Sequence, residues 1–205
     1  MKEFILGDGL GFAELTDHMA CDLAVVNAAR VSYKKRSAQL SERDVKLIRF
    51  LMREQHGSPF EHCVFRFEVK APLFVTRQWM RHRIASYNEQ SGRWTEFDPE
   101  FYFPDPGVDP YYRIGEHSRR CFEKYQQLLG DGWPKEQARM VLPQNLYTTF
   151  WFTVNARSLM NFIMLRAQES AQSEIRKYAD VLEQMAASVM PQSFAAFIEY
   201  GRRAP

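Results

Sequence analysis

The chain has 205 residues, of which 45% are hydrophobic and 14% aromatic, and its formal net charge is +2 at pH 7. This size and composition indicate one globular domain with a sizeable core and exclude a disordered chain. The small net charge argues against a protein that wraps nucleic acid through a global positive field. Three scattered cysteines, Cys21, Cys63 and Cys121, match neither a disulfide framework nor a thiolate zinc site.

Targeting and membrane signals are also missing from the sequence. No apolar run approaches about 18 residues, and the start of the chain lacks a basic segment followed by an apolar one. We therefore expect a soluble, cytoplasmic protein with no membrane partner. Because there is no internal repeat or long linker, residues 1–205 are predicted to form a single domain.

The first half of the chain alternates short strand signals with helical ones. In chain order we predict two short strands around a glycine turn (3–15), helices over 21–33 and 41–57, a strand over 63–70 and a helix over 72–83. The helix over 41–57 is the clearest, since Ser41 and Asp44 form a capping-box pattern and Gly57 ends it.

The second half of the chain adds one strong strand and several helices. In chain order we predict an ordered loop (95–115), helices over 116–130 and 133–143, a strand over 146–154 and helices over 156–166 and 170–190. The strand LYTTFWFTV is aromatic and β-branched throughout, and Asn155 is placed to cap the helix after it. Without regular β–α alternation or a GxGxxG motif, the pattern predicts an α+β domain: a small, mainly antiparallel sheet flanked by several helices.

Residues 77–94, RQWMRHRIASYNEQSGRW, concentrate four arginines and a histidine in one short stretch. Gln78 and Arg81 are three residues apart, so they share a face if the stretch is helical. Arg81, His82 and Arg83 are consecutive, so on a helix their side chains point in directions about 100° apart. The turn Ser91–Arg93 offers backbone N–H groups, a hydroxyl and a guanidinium, which suit a phosphate. Glu89 would instead accept from a hydroxyl or a ring N–H. Hydrogen-bond donors that suit a phosphate, next to a carboxylate that accepts from a hydroxyl or a ring N–H, indicate a nucleotide site.

Other functions explain only parts of this pattern. A solvated helix face would need carboxylates beside the arginines, and only Glu89 and Glu96 are near in sequence. A metal-dependent phosphohydrolase is suggested by His56, Glu61 and His62, but the spacing is not that of a metalloprotease helix and no Asp/His cluster lies nearby, so no metal site is predicted. An RNA-binding module would use three aromatic residues as stacking platforms, namely Trp79, Tyr87 and Trp94.

The arginine-rich stretch resembles the signature RHRxxSxNExSxR of the flavin-dependent thymidylate synthases. Eight fixed positions match within residues 81–93, from Arg81-His82-Arg83 through Ser86, Asn88-Glu89 and Ser91 to Arg93. The upstream segment 56–62 is similar to the family's HxxxxEH segment, and residues 139–143 and 155–166 are similar to its later ones. The likeness spans most of the chain. Two departures are Trp94, where tyrosine is common, and Ser170, where some members carry a histidine.

The resemblance implies reductive methylation of dUMP to dTMP. The carbon would come from 5,10-methylenetetrahydrofolate, and the reducing equivalents from NADPH through bound FAD. The resemblance also implies a homotetramer whose active sites form where subunits meet. Nucleic acid is not an expected partner.

Carried over position by position, the resemblance assigns residues to each ligand. FAD would contact eight residues, namely Ser58, Arg81, His82, Arg83, Glu89, Asn155, Arg157 and Asn161. The nucleotide pocket would use Gln78, Arg81, Glu89, Gln90, Ser91, Gly92, Arg93, Arg139 and Arg166. Arg166 would sit at the uracil edge as the catalytic residue, and His56 near the flavin and folate.

Methylation at C5 of uracil requires an electron-rich ring, which a protein can provide in several ways. A thiolate on C6 would need a low-pKa cysteine, and Cys63 and Cys121 have structural rather than reactive contexts. Ser91 as a nucleophile would need a base, and His82 is flanked by arginines that reduce its basicity. A guanidinium at the N3/O4 edge stabilises the deprotonated ring directly, so we expect Arg166 to act without a cysteine nucleophile. Without the resemblance, a salt bridge from Arg166 to Glu169 explains that arginine equally well.

Overall fold

The structure is a computed structural model that describes residues 2–104 and 110–205, except for the side chains of 110–112. Its five strands are β1 (Lys2–Phe4), β2 (Phe12–Met19), β3 (Val64–Pro72), β4 (Ser86–Glu89) and β5 (Tyr147–Asn155). They form one sheet in the order β1-β2-β3-β5-β4, and every neighbouring pair is antiparallel. The predicted α+β class with an antiparallel sheet is confirmed.

The helices of the described residues surround this sheet. They are α1 (Asp22–Arg30), α2 (Glu42–Arg53), α3 (Leu73–Trp79), α4 (Pro110–Gly130), α5 (Lys135–Ala138), α6 (Ala156–Arg166), α7 (Ser173–Val189) and α8 (Pro191–Glu199). Short 3-10 turns cover Val31–Tyr33, Ser58–His62 and Arg139–Val141. Within the ranges described, none of the helices is both long and apolar enough to cross a membrane.

Several predicted boundaries were wrong in ways that matter for the site. The helix predicted over 72–83 ends at Trp79, and the unpredicted strand β4 follows a turn over residues 80–85. The loop predicted over 95–115 already contains the start of α4 at Pro110, while its residues 105–109 lie outside the described part. The helix predicted over 133–143 consists of α5 and a separate 3-10 turn.

Two helix caps connect the sequence pattern with the fold. The Ser41–Asp44 capping box is present, with the Asp44 carboxylate accepting from the Ser41 backbone N–H at 2.9 Å. The buried carboxylate of Asp22 accepts from the backbone N–H groups of Gln192 and Ser193 at 2.9 and 2.8 Å, which caps the unpredicted helix α8. This second cap connects the start of α1 with the start of α8.

The core lies between one face of the sheet and helices α3, α6 and α7. The central strands β3 and β5 are in register from Val64↔Asn155 to Pro72↔Tyr147, and their alternate aromatic side chains point to this face. Trp79, at the end of α3, is fully buried, and its ring centroid lies 4.9–5.6 Å from four aromatic rings, those of Phe150, Phe152, Phe162 and Tyr178. The last turn of α3 is therefore fixed by aromatic packing.

Strand β4 at the sheet edge divides the arginine-rich signature between two faces. Tyr87 and Glu89 are paired with Phe152 and Phe150, and because side chains alternate along a strand they lie on the same side of the sheet, where Tyr87 is half-buried and Glu89 is exposed. The Tyr87 ring stacks on Phe152 with centroids 5.3 Å apart. Ser86 and Asn88 belong to the opposite, exposed face.

Candidate active site

The turn over residues 80–85 determines where the basic residues of the signature point. The His82 backbone N–H donates to the Trp79 carbonyl at 2.9 Å, and the Tyr87 hydroxyl donates to the His82 carbonyl at 2.6 Å. Within this turn His82 is buried, whereas Arg81 and Arg83 are exposed. The sequence analysis placed these three residues on a helix, and that expectation was wrong because α3 stops at Trp79.

His82 is joined to the start of α6 by a serine. The imidazole Nε2 lies 2.8 Å from the Ser158 hydroxyl, and that hydroxyl donates to the Ile84 carbonyl at 2.7 Å. The Ser158 backbone N–H donates to the Asn155 side chain at 2.9 Å, so Asn155 caps α6 as predicted. Burial and the nearby Arg166 guanidinium lower the pKa of His82, which favours the neutral ring.

Arg166, at the last turn of α6, points back toward the end of α3. Its Nη2 donates to the Gln78 carbonyl at 3.2 Å, while its Nε is buried and has no hydrogen-bond partner within residues 2–104 and 110–205. Burial and Arg81 lower the pKa of this guanidinium, and an arginine still stays protonated at any working pH. Among the described residues Arg166 forms no ion pair with Glu169. A buried N–H without a partner is a site for a ligand acceptor.

The signature's polar tail leaves β4 beside the same corner. The Glu89 carboxylate accepts from the Thr148 hydroxyl at 2.9 Å, and the Gln90 backbone N–H donates to the Thr149 carbonyl at 2.9 Å. Gly92 is buried, and a Cβ there would collide with the Phe97 ring and lie 3.0 Å from Arg139 Cδ. Only glycine therefore lets this turn approach Arg139.

Glu136 on α5 brings two predicted phosphate ligands together. The Arg93 guanidinium contacts the Glu136 carboxylate at 3.0 Å, and Arg139 Nε donates to the Glu136 carbonyl at 3.4 Å. Arg93 and Arg139 are both exposed, so a solvent-borne anion can reach them. The Glu136 carboxylate is the anion that now balances Arg93.

A cavity of about 350 Å³ opens beside the N-terminus of α6. Three of its lining residues are predicted flavin contacts, namely Asn155, Arg157 and Asn161. The Arg157 guanidinium contacts Glu61 Oε1 at 2.5 Å and the Pro205 carbonyl at 2.5 Å. Ile84 and Ser158 also line this cavity, which connects it to the turn that carries His82.

The remaining predicted site residues lie at the edges of these clusters. Ser58 is exposed at the start of the 3-10 turn Ser58–His62, and His56 is exposed with its ring edge-to-face on Phe50, centroids 5.7 Å apart. The two departures from the signature, Trp94 and Ser170, are both exposed. Over residues 2–104 and 110–205, no three His, Cys, Asp or Glu side chains are grouped as a metal site.

The three cysteines have different surroundings, and none of them lines the cavity at the start of α6. Cys63 is buried, its thiol faces the Cys21 carbonyl at 3.6 Å, and burial raises its pKa. Cys121 lies on α4 with its sulfur 3.4 Å from His117 Nε2. Cys21 is exposed just before α1.

Several residues that hydrogen-bond to or pair with the predicted site residues were not identified from the sequence. Ser158 lies within the segment 155–166 that is similar to the family, but no role was predicted for it, although a cap at Asn155 places residue 158 at the third position of α6. Tyr87 was considered only as a stacking platform, yet its hydroxyl holds the His82 carbonyl. Glu136 and Thr148 carried no sequence signal, because their partners come from distant segments.

Comparisons with known proteins identify the family of this chain. The family model described as "Thymidylate synthase complementing protein" matches residues 14–192. A flavin-dependent thymidylate synthase from Thermotoga neapolitana is 48% identical over an alignment 204 positions long, which covers 93% of this chain and 92% of the relative. One from Tropheryma whipplei strain TW08/27 is 43% identical over an alignment 225 positions long, which covers 94% of each chain.

A solved structure supports the same assignment at the level of the fold. The UMP/dUMP methylase PolB from Streptomyces cacaoi, bound with 5-Br dUMP, superposes with a TM-score of 0.87 at 38% identity. The match covers 94% of this chain and 97% of PolB. From the arginine-rich signature, the family model and these relatives together, the chain belongs to the family of flavin-dependent thymidylate synthases.

Proposed function

We propose that this enzyme methylates dUMP to dTMP, taking the carbon from 5,10-methylenetetrahydrofolate and the reducing equivalents from NADPH through bound FAD. The observation that carries the proposal is Arg166, a part-buried cation with an unpartnered Nε–H beside Gln78 and Tyr87. Relatives at 40–48% identity are flavin-dependent thymidylate synthases, and PolB is a UMP/dUMP methylase. Family membership and site chemistry therefore support the same reaction.

The phosphate of dUMP fits the corner formed by the signature's tail and α5. Arg93 and Arg139 supply two guanidiniums, and the Gly92 turn keeps their side chains close. Arginine forks bind phosphate oxygens through paired, charge-assisted hydrogen bonds. Glu89, Gln90 and Ser91 directly precede this corner in the chain, and they would contact the sugar and the phosphate.

The flavin fits the cavity at the start of α6. Arg157 supplies a cation for the pyrophosphate, and Asn161 and the Asn155 amide N–H₂, which is not used in capping, supply neutral donors. When bound, FAD supplies hydride and one-carbon transfer chemistry that no side chain provides. Ser58, Arg81, Arg83 and Glu89 would contribute further contacts from the neighbouring segments.

Arg166 would activate the uracil by electrostatics. Negative charge develops at O4 as electron density moves toward C5, and a fixed guanidinium at the N3/O4 edge of a part-buried site stabilises that charge. The resulting ring is electron-rich at C5, where the new carbon must attach. Gln78 holds Arg166 through its carbonyl at 3.2 Å, so the guanidinium is oriented before the nucleotide arrives. This route needs neither a cysteine nor Ser91 as nucleophile.

We also propose a homotetramer with shared active sites, as the resemblance to the family implies. Drug-sized ligands occupy pockets of about 300–1,000 Å³. The cavity of about 350 Å³ is at the lower end of that range, and FAD is larger than most drugs. Part of the flavin dinucleotide would therefore extend outside this cavity, and in a tetramer a neighbouring subunit could contact it and the folate near His56. Cytoplasmic location remains our expectation for a biosynthetic enzyme of this kind.

FAD titration of the purified enzyme tests the cofactor site. We expect the protein to bind FAD, to absorb near ~450 nm and to lose that absorbance with NADPH when oxygen is excluded. Arg157→Ala should weaken FAD binding about tenfold or more, because it removes a charge-assisted hydrogen bond of about 1.5–3 kcal/mol. Arg119→Ala is the matched control, since it removes a surface arginine that likewise faces a glutamate, Glu123 at 3.8 Å. A colourless protein that FAD fails to titrate would favour the RNA-binding or phosphohydrolase alternatives.

Replacing Cys21, Cys63 and Cys121 together tests the proposed absence of a thiolate nucleophile. We expect the variant to retain measurable dTMP formation, because no cysteine lies in the site and the Cys63 thiol is buried with a raised pKa. Any decrease in dTMP formation should be proportional to the loss of folded protein, which circular dichroism and the amount of bound FAD measure. Complete inactivity of a folded, FAD-bound triple variant would restore the thiolate route.

Methylation of UMP is a second candidate activity. PolB is a UMP/dUMP methylase, and its complex with 5-Br UMP matches this chain with a TM-score of 0.86 at 39% identity. Side-by-side turnover of UMP and dUMP by this enzyme distinguishes a dUMP-specific synthase from a methylase that accepts both sugars.

A further inference from the structure

The geometry points to Ser158 as a positioning residue that holds His82 in one neutral tautomer, with the ring proton on Nε2 and a lone pair on Nδ1. The site would then present His82 to its ligand as a hydrogen-bond acceptor. An acceptor nitrogen at this position selects a ligand that has a ring imide N–H, a group that flavin and uracil both carry. The identity of that ligand rests on the proposed function, whereas the tautomer does not.

The proton count around Ser158 carries the assignment. The hydroxyl oxygen lies 2.7 Å from the Ile84 carbonyl and 2.8 Å from His82 Nε2. A carbonyl can only accept, and a serine hydroxyl has a single proton, which must point to Ile84. The hydroxyl is therefore the acceptor in its contact with the imidazole, and His82 Nε2 must carry a proton.

The opposite arrangement is disfavoured by the same two contacts. If the hydroxyl proton pointed to Nε2, the oxygens of Ser158 and Ile84 would face each other at 2.7 Å with lone pairs on both sides. Ser158 is only 5% exposed, so solvent is poorly placed to separate or satisfy them. Only the Nε2–H arrangement satisfies both contacts.

The surroundings of His82 favour one ring orientation, with Nε2 toward Ser158. The His82 backbone is fixed on both sides, by the Trp79 carbonyl at 2.9 Å and the Tyr87 hydroxyl at 2.6 Å. Its ring packs edge-to-face on Phe162 with centroids 5.5 Å apart, and the residue is 6% exposed. On the serine side, the Asn155 cap fixes the backbone of Ser158 at 2.9 Å.

Nδ1 is left free for a ligand. No residue in the described ranges hydrogen-bonds to it, yet it is not among their fully buried unpaired polar atoms, which are Trp79 Nε1, Tyr125 OH and Arg166 Nε. Nδ1 therefore keeps access to the surface. Burial and Arg166 both oppose a second proton on the ring, so the free nitrogen carries a lone pair.

Nitrogen NMR of the FAD-free enzyme tests the tautomer directly. The chain has 5 histidines, so ¹⁵N-histidine labelling gives few ring signals, and His82→Asn identifies the one to follow. We expect the wild-type His82 ring at neutral pH to carry its proton on Nε2 only. Protonation on Nδ1, or on both nitrogens, would overturn the proposal, and this result needs no variant of Ser158.

Variants of Ser158 separate positioning from general stability. Ser158→Ala should give a mixture of His82 tautomers, and Ser158→Thr, which keeps a hydroxyl, should restore the Nε2–H form. Ser193→Ala is the matched control, because Ser193 is a fully buried serine whose hydroxyl bonds to Asp22 at 2.6 Å on α8. A folded Ser158→Ala enzyme with an unchanged tautomer would contradict the role of the serine.

Separate additions of FAD and dUMP then identify the donor. The ligand whose imide N–H bonds to His82 should shift the Nδ1 resonance, and Ser158→Ala should weaken binding of that same ligand several-fold. If both ligands bind and neither shifts Nδ1, the acceptor role is wrong. Failure of the enzyme to bind FAD at all would count against the proposed function and would leave the tautomer assignment in place.

Discussion

Arg166→Ala is expected to lose nearly all turnover while retaining bound FAD. Removing one fixed donor to a developing negative charge lowers kcat by about 10²–10³-fold in enzymes that use such groups. Here the guanidinium is part-buried and its Nε–H has no partner among the residues that the structure describes, so its stabilisation is available to the nucleotide. Initial rates of dTMP formation at saturating dUMP and folate measure the loss.

Arg166→Lys separates charge from geometry at the same position. Lysine keeps a cation but not the planar fork that donates to the Gln78 carbonyl, so we expect a rate between those of the wild type and the alanine variant. Bound flavin, read from absorbance, should be unchanged in both variants because Arg166 lies outside the cavity near Arg157. Wild-type rates in a folded Arg166→Ala enzyme would remove this residue from the mechanism.

The sequence predicted best those elements whose pattern is local. The capping box at Ser41, the alternating strand β3 and the Asn155 cap of α6 all follow from residues within a few positions of each other. Strand β4 was missed because its residues, Ser86–Glu89, are polar and short, and only pairing with β5 makes them extended. Helix α8 was missed because its cap, Asp22, is far away in the chain.

The end of α3 shows why the site was predicted only in part. Nothing in RQWMRHR stops a helix locally, since it contains neither glycine nor proline. The chain turns after Trp79 because that ring is buried among four others and the Tyr87 hydroxyl holds the His82 carbonyl. Motif spacing could therefore name Arg81, His82 and Arg83, but long-range packing decided which of them is buried.

Arg93→Ala and Arg139→Ala are each expected to weaken dUMP binding about tenfold or more. Each change removes a charge-assisted contact to the phosphate, worth about 1.5–3 kcal/mol. Deoxyuridine is the matched control ligand, because it lacks the phosphate and its affinity should be the same for the wild type and both variants. Equal weakening of both ligands would show that these arginines support the fold of the pocket instead. Calorimetric titration of the FAD-bound enzyme measures all the affinities.

Glu136→Gln should change dUMP affinity in the opposite direction. The Glu136 carboxylate contacts Arg93 Nε at 3.0 Å, so it would compete with the phosphate for this guanidinium. Exposed ion pairs are worth about 0.2–1 kcal/mol, and relieving this competition should tighten dUMP binding by up to about fivefold while deoxyuridine is unaffected. Weaker dUMP binding by Glu136→Gln would mean that the carboxylate orients Arg93 for the phosphate. The sign of this one change therefore decides whether Glu136 competes with the nucleotide or prepares its site.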